Sequence, residues 1–401
     1  MGAGTVNPVR GARLVHVTTT DMSLALLLGP QLRAFAAAGL EVLACSAPGP
    51  YVAEIESWGI RHLPLRHSTR ASDPRADALA FAEMVSVFRK VRPDVVHTHN
   101  PKPGVLGRLA ARLSGVPVVV NTVHGLYAQP SDGLARRGFV YAAERLASTC
   151  SAAELVQNPE DVETLARLGV PRRKLQLLGN GVDLDRFSPD GVDAGQRAQT
   201  RGELGAGPHD VVVGTVGRLV WEKGYREVFA AAEQWQDRAP RLRVVVVGPR
   251  DDDKADAVDD RAIERAQAAG IRFLGSRHDM ERLYSAFDLY VLASHREGFP
   301  RAAMEAAAMG LPVVVTDIRG GRQVVDDEIT GLLVPPRDPV ALSEAVLRLA
   351  SAPPERAAMG RAARQKALRE FDQQRVIEVT LDTYRRLLGT RPGAGATAYG
   401  R

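Results

Sequence analysis

Short runs of β-branched and aliphatic residues punctuate the first half of the chain: Leu14-Val15-His16-Val17, Glu41-Val42-Leu43-Ala44, Asp94-Val95-Val96-His97 and Val118-Val119-Val120. Nearly continuous apolar runs of this length predict parallel strands buried on both faces. Ala- and Leu-rich stretches of helical period lie between them. One, Asp73 to Lys90, opens Asp-Pro, the residues a helix start favours at its cap and first turn, and another runs from Leu134 to Ala147. The alternation predicts βαβ units.

The pattern restarts with Val211 to Val216, then Val244 to Val247, Ile271 to Leu274, Leu289 to Leu292 and Val313 to Val315. The chain therefore predicts an α/β protein of two tandem Rossmann-like, doubly wound domains. Between the halves, Asn180-Gly181-Val182-Asp183 through Asp190-Gly191-Val192-Asp193 is dense in turn residues and marks the linker. Domains over 1–188 and 189–371 follow. A last helix near 372–388 is expected to pack back on the first domain, and a Gly/Pro/Ala tail over 389–401 to be disordered. Sheets of this kind bind ligands outside the carboxyl ends of their strands, so the site is expected in a cleft between the domains.

Composition narrows the function classes. With 45% hydrophobic and 25% charged residues in 401, disordered and fibrous chains are excluded. The 52 Lys+Arg against 47 Asp+Glu are spread along the chain without a basic block, so no nucleic-acid partner is expected. Two cysteines, Cys45 and Cys150, form no disulfide framework and no metal motif, which fits a reducing, cytoplasmic compartment. No signal peptide or transmembrane span is expected, and Val6 stands where a myristoylation motif needs Ser or Thr. The stretch with Lys102, Arg108 and Arg112 fits either an anionic lipid surface, as a peripheral contact at the inner face of a membrane, or plain solvent.

Two constellations carry candidate chemistry. Gly217-Arg218-Leu219-Val220-Trp221-Glu222-Lys223-Gly224 follows the first strand of the second half and leads into a helix. Gly217 permits a tight turn, Arg218 offers a bidentate fork and Lys223 a point charge to a diphosphate; a solvated basic turn would look the same. Glu297-Gly298-Phe299-Pro300-Arg301-Ala302-Ala303-Met304-Glu305 also follows a strand. Pro300 suits a first helical turn, which leaves Glu297 in the loop and Glu305 inside the helix. Backbone N–H groups at that helix start could take a phosphate or sugar oxygen and the glutamates hydroxyl groups, unless Glu297 only caps the helix and Glu305 is a surface residue.

As an ordered set, these motifs with Ala308-Met309-Gly310-Leu311-Pro312-Val313-Val314, and with Val96-His97-Thr98-His99-Asn100, Val123-His124-Gly125 and Asn180-Gly181-Val182-Asp183, resemble the retaining GT-B glycosyltransferases of family 4. The resemblance runs from about residue 13 to about 388. It implies an acceptor domain followed by a nucleotide-sugar donor domain. Donor-binding residues would be Gly217, Arg218, Lys223, Gly298, Phe299, Pro300, Arg301, Glu305, Gly320 and Gly321. Arg218 and Lys223 would hold the diphosphate, Glu305 the ribose hydroxyls and Glu297 a hydroxyl of the transferred sugar, while His124 faces the anomeric centre. The catalytic set is then His124, Glu297, Arg218 and Lys223, and the acceptor side includes Thr20, Asp21, Ser23 and His99. The departing phosphate oxygen would take the acceptor proton, so no enzymic base is needed, and Arg218 and Lys223 would already supply two positive charges for the leaving diphosphate, so no cofactor and no metal are expected. The partners are a nucleotide-sugar donor and a hydroxyl-bearing acceptor: glycan, lipid-linked or small molecule.

The chain departs from that family at Gln323, where much of it carries Glu, and at Thr18 to Ser23, where many relatives have paired glycines. His97 and His99 form an H-x-H pair for which the sequence offers no third ligand, so they are expected to be structural or to line the cleft. Asp251-Asp252-Asp253 imitates a metal site but fits an acidic loop opening a helix from Ala255. A same-fold nucleotide-sugar epimerase and a non-catalytic nucleotide-sugar binding protein are the alternatives. A dinucleotide oxidoreductase is disfavoured because no G-x-G-x-x-G follows Val17 or Val216.

Overall fold

A computed structural model describes residues 9–390 apart from 72, 100, 129–131 and 253. Asn100, Asp253, the myristoylation position and the tail from 391 onward lie outside the described residues. Residues up to Leu178, together with those from Gln374, form one unit; Gly179–Gln373 form the other.

In the first unit, β1 (Arg13–Thr20), β2 (Glu41–Ala47), β3 (Arg61–Pro64), β4 (Val95–His99), β5 (Val118–Val123), β6 (Ala153–Val156) and β7 (Leu175–Leu177) make one parallel sheet ordered β3-β2-β1-β4-β5-β6-β7. The strand order reverses between β1 and β4, the topological switch point where open α/β sheets bind ligands. Strand alternation divides the core. Leu14, Val95, Val118 and Val120 face one layer, while Val15, Val96 and Val119 face the other. The helix Gln373–Gly389 covers the first of these faces, because Val376, Ile377, Leu381, Tyr384 and Leu388 form a stripe of helical period that packs into it.

The second unit repeats the plan. Strands β8 (Val211–Val216), β9 (Leu242–Val247), β10 (Arg272–Phe273), β11 (Leu289–Leu292), β12 (Val313–Thr316) and β13 (Gly331–Val334) are parallel in the order β10-β9-β8-β11-β12-β13, with the switch between β8 and β11. The turn-rich segment read as the linker lies within this unit, where Val182 N–H bonds Phe371 O at 2.9 Å. Four strands were not read from the sequence, although one of them, β13, is the apolar Gly331-Leu332-Leu333-Val334. β3, β6, β7 and β13 are three or four residues long, and three of them are interrupted by polar residues such as His62, Glu154 and Gln176.

Two expectations are corrected. Arg108 is not on a basic surface: it is fully buried, donating to Glu154 at 2.7 Å and Glu144 at 2.6 Å, because the helix Lys102–Leu113 turns its 103, 104, 107, 108, 110 and 111 positions inward. Lys102 pairs with Asp77 at 2.6 Å, which removes two of the three cations offered to a membrane. No described helix is long and apolar enough to cross a bilayer. The acidic run after β9 does not open a helix at Ala255 either. The helix is Asp260–Ala268, capped by Asp259 accepting from Ala262 N–H.

Candidate active site

The loops that follow β8 and β11 meet at the switch point of the second unit. Gly224 makes this possible. It sits at φ 78, in the left-handed region, and a Cβ there would lie 2.0 Å from Ala293 O at the end of β11. His295 N–H then donates to Glu222 O at 2.9 Å, which ties the two loops. Their side chains pair as a result: Lys223 Nζ lies 2.5 Å from Glu297 Oε1, and Ser294 Oγ donates to the same oxygen at 2.8 Å. An ammonium has three donors, so this pairing leaves Lys223 able to bond a phosphate while Glu297 Oε2 accepts from a hydroxyl. Arg218, from the same loop as Lys223, is ion-paired with Asp251 in the run after β9. That aspartate orients a guanidinium; the sequence had suggested only an acidic loop.

Glu305 is placed one helix deeper. Helix Arg301–Ala308 starts at Pro300 without a side-chain cap, and Arg301 Nε reaches back to Glu305 Oε1 at 3.0 Å across one turn. Tyr284 OH donates to Glu305 Oε2 at 3.1 Å. Burial pushes the Glu305 carboxyl up from the ordinary carboxylate range, against the pull of Arg301. Asn180 Nδ2 donates to Phe299 O at 3.1 Å and braces the Gly298-Phe299-Pro300 turn. Gly321 opens a short helix, Gly321–Val324, and Gln323 donates to Arg319 O at 3.2 Å, a bond that serves the loop itself.

Gly320 is needed for a steric reason. Its φ of −71 suits any residue, but a Cβ would lie 2.7 Å from both Cβ and O of Glu297. Gly320→Ala is expected to displace the Glu297 loop, costing about 1–3 kcal/mol of stability as overpacking does. Sugar transfer should fall more than tenfold with the nucleotide still bound. Parallel melting curves and initial rates check this; a variant with wild-type turnover would show that the loop yields freely.

In the first unit His124 follows β5 and is partly exposed, beside Gly125. It does not stand alone. Its Nε2 lies 2.8 Å from His99 Nδ1, and His99 Nε2 lies 3.0 Å from His16 Nδ1. His97 and His99 share a face of β4, and the β1–β4 register sets His16 opposite His97. The missing third histidine of the H-x-H pair is thus His16, eighty residues away; only strand pairing brings it in. Ligand atoms of His16, His97 and His99 lie within 4.8 Å of one another. Their nitrogens are nonetheless engaged otherwise, with Thr122 and Tyr384 as the further partners. Burial lowers all four rings, His16 to about 3 and His124 to about 4, with His97 and His99 well below their ordinary value. All are neutral at pH 7.

The residues expected on the acceptor side divide. Thr20 Oγ1 and Ser23 Oγ are 3.3 Å apart on the loop after β1. Asp21 is buried and its carboxylate accepts from Met22 and Tyr51 N–H at 2.8 and 2.7 Å, which makes it a brace between loops. His99 is buried with both nitrogens engaged. Asp251, Ser294, Tyr284, His16 and Tyr384 were missed from sequence. Each gains its place through a contact spanning at least three residues and mostly dozens, for which spacing gives no signal.

Two family profiles cover most of the chain: "Glycosyl transferase 4-like domain" over residues 28–181 and "Glycosyl transferases group 1" over 196–366. Among curated proteins, the chain is 31% identical over 280 residues to the UDP-Gal:alpha-D-GlcNAc-diphosphoundecaprenol alpha-1,3-galactosyltransferase of Escherichia coli, covering 68% of this chain and 70% of that one. It is 33% identical over 317 residues to the D-inositol 3-phosphate glycosyltransferase of Saccharomonospora viridis, covering 75% and 72%. Among solved structures, Anabaena HepE in complex with UDP superposes with a TM-score of 0.77 at 20% identity, over 94% of this chain and all of the other, a likeness of fold.

Proposed function

Since the chain belongs to the group 1 glycosyltransferases, we propose that it moves a hexose-type sugar from a nucleoside-diphosphate sugar to a hydroxyl acceptor with retained configuration and without a metal ion. The observation that carries this reading is the cationic pair Arg218 and Lys223 beside Glu297 at the switch point of β8 and β11. The C1–O bond to the diphosphate breaks, and its charge falls on the leaving oxygens. Arg218 and Lys223 are fixed donors for that charge, which is the term that lowers such a barrier most. The acceptor hydroxyl then attacks C1 on the same face and passes its proton to the departing phosphate oxygen. Glu297 Oε2 is assigned to a sugar hydroxyl, Glu305 to the ribose hydroxyls, and His124 to the sugar near C1. The relatives' names include both a diphosphoundecaprenol-linked and an inositol 3-phosphate substrate, so the acceptor is assigned by chemistry only, as a hydroxyl. We place the activity in the reducing cytoplasm, where Cys45 and Cys150 stay free thiols.

A thermal-shift screen of nucleoside diphosphates with the full chain is expected to select one base; ligand at 100 times its Kd adds about 2.7 kcal/mol. The matching nucleotide sugar should then give an α-to-α or β-to-β product by NMR, at the same rate in excess EDTA. An inverted product, or activity lost in chelator and restored by magnesium, overturns the mechanism. Stabilisation by no nucleoside diphosphate overturns the donor class.

A further inference from the structure

The helix Leu134–Ala147 of the first unit is built inside out for one that packs on a sheet. Positions 135, 139, 142 and 146 recur at the i, i+4, i+7, i+11 spacing of an apolar face, yet Ala135, Phe139, Ala142 and Leu146 are all exposed. Leu134, Gly138 and Arg145 flank that stripe and are exposed too. Leu134 is 77%, Phe139 76% and Leu146 61% exposed, so three large apolar side chains project into solvent instead of lining a groove. The only carboxylate of the helix goes the other way: Glu144 is buried and accepts from Arg108 Nη2 at 2.6 Å. What stays beside the stripe is basic. Arg145 is exposed next to Leu146, while Arg136 pairs with Asp132 at 3.4 Å and stands 5.3 Å over the Tyr127 ring. Past the helix, Lys174 donates to Ser148 O at 3.0 Å; burial lowers its pKa against the pull of Glu154, and Arg173 and Arg145 are near enough to lower it further.

We propose that this face docks on a bilayer carrying anionic lipids, with Leu134, Phe139 and Leu146 entering the acyl boundary and Arg145 and Arg173 meeting lipid phosphates. The helix has 14 residues, too few to span, and an apolar stripe edged by arginines lets a helix lie in the plane of the interface. Arginine suits that edge. Its aliphatic stem packs on acyl chains while the guanidinium stays among headgroups and binds phosphate oxygens in pairs. A second copy of the chain is a poorer occupant, because stripe against stripe brings two sets of arginines together with no exposed acid on either helix to meet them. Side chains that project singly also need a matched pocket in a protein partner, whereas a lipid layer deforms to take them. The surface differs from the one that Lys102, Arg108 and Arg112 suggested: those lie on the neighbouring helix, and Arg108 is spent inward on Glu144. The docking helix ends the connection that leaves β5 past His124, so docking brings the ligand-binding edge of the first sheet towards the lipid. None of this depends on which residues transfer sugar.

The test sediments the full chain with vesicles of phosphatidylcholine alone and with vesicles containing about one quarter phosphatidylglycerol. The anionic vesicles are expected to bind roughly tenfold or more tightly than the neutral ones, and less so as salt rises. Phe139→Ser combined with Leu146→Ser should weaken that binding by roughly tenfold or more, and Arg145→Gln by about fivefold, the worth of one basic side chain near an anionic surface. Melting temperature and nucleoside diphosphate affinity should match wild type in both, since these side chains stand in solvent. Ile329→Ser removes an exposed apolar side chain from the second unit and should leave vesicle binding unchanged. Binding to neither vesicle, equal binding to both, or binding that survives the Phe139 and Leu146 changes overturns the proposal. A dimer in sedimentation equilibrium that those two changes abolish also overturns it and gives the face to a second copy. Vesicle binding as expected without any sugar transfer upholds the docking surface and removes the proposed activity instead.

Discussion

Replacing Lys223 by alanine is expected to lower kcat/KM for sugar transfer by about 10²- to 10³-fold, the usual effect of deleting one fixed donor to a developing anion. Two physical losses combine. The ammonium no longer meets the leaving diphosphate, and Glu297, with a side chain only 13% exposed, loses the cation 2.5 Å from its Oε1 and turns a negative charge on the incoming phosphates. Nucleoside diphosphate affinity should fall as well, by about 1.5–3 kcal/mol, the worth of a hydrogen bond to a charged group. Glu297→Ala makes the contrast. It removes the carboxylate and leaves Lys223, so the free nucleotide should bind at least as tightly while turnover is lost. Calorimetry with the selected diphosphate and initial rates with its sugar decide between these outcomes. If Lys223→Ala transfers within threefold of wild type, the diphosphate lies elsewhere.

Acidification from pH 7 to 5 should remove several kcal/mol of stability, starting in the first unit. Burial depresses His16 to about 3 and His124 to about 4, and lowers His97 and His99 well below 6.5, so the folded chain refuses protons that the unfolded chain accepts. Between those folded values and 6.5 the unfolded state binds more protons, and stability falls as pH falls. Each ring contributes up to about 1.4 kcal/mol per pH unit. His62, lowered by burial against Asp21 and Glu56, acts in the same direction. Four or five such rings acting together approach the 5–15 kcal/mol that holds an ordinary domain. Urea titrations at pH 7, 6 and 5, followed by amide exchange in β1, β4 and β5, measure the slope. Flat midpoints across this range would mean that the rings take protons in the folded state.

Much of this molecule was legible in its sequence because the relevant physics is local. A parallel strand covered on both faces has to be apolar along its length, so Val211–Val216, Leu289–Leu292 and the core of β1, β4 and β5 stand out. Asp73 before Pro74 announces its helix because the capping bonds, from Arg75 and Ala76 N–H, span three residues. The candidate donor loops were visible for the same reason: each is a short strand–turn–helix passage whose residues sit within nine positions of one another. The short strands β3, β6 and β7 were not, since a three- or four-residue strand holding a polar side chain has no period to read, and the apolar Gly-Leu-Leu-Val of β13 is too short to tell from a buried helical turn. Tertiary structure alone decided which charges meet. Arg108 looks like a surface cation until Glu144 and Glu154 arrive from 36 and 46 residues away, and Arg218 becomes oriented only by Asp251. The chain of histidines depends on the same kind of contact. His16, His97 and His99 lie on two strands and His124 just after a third, and Tyr384 joins them across 287 residues from His97. Local sequence determines which segments are strands and helices, because propensity and periodicity act over a few residues; partners set by sheet order and register are fixed only when distant strands pair.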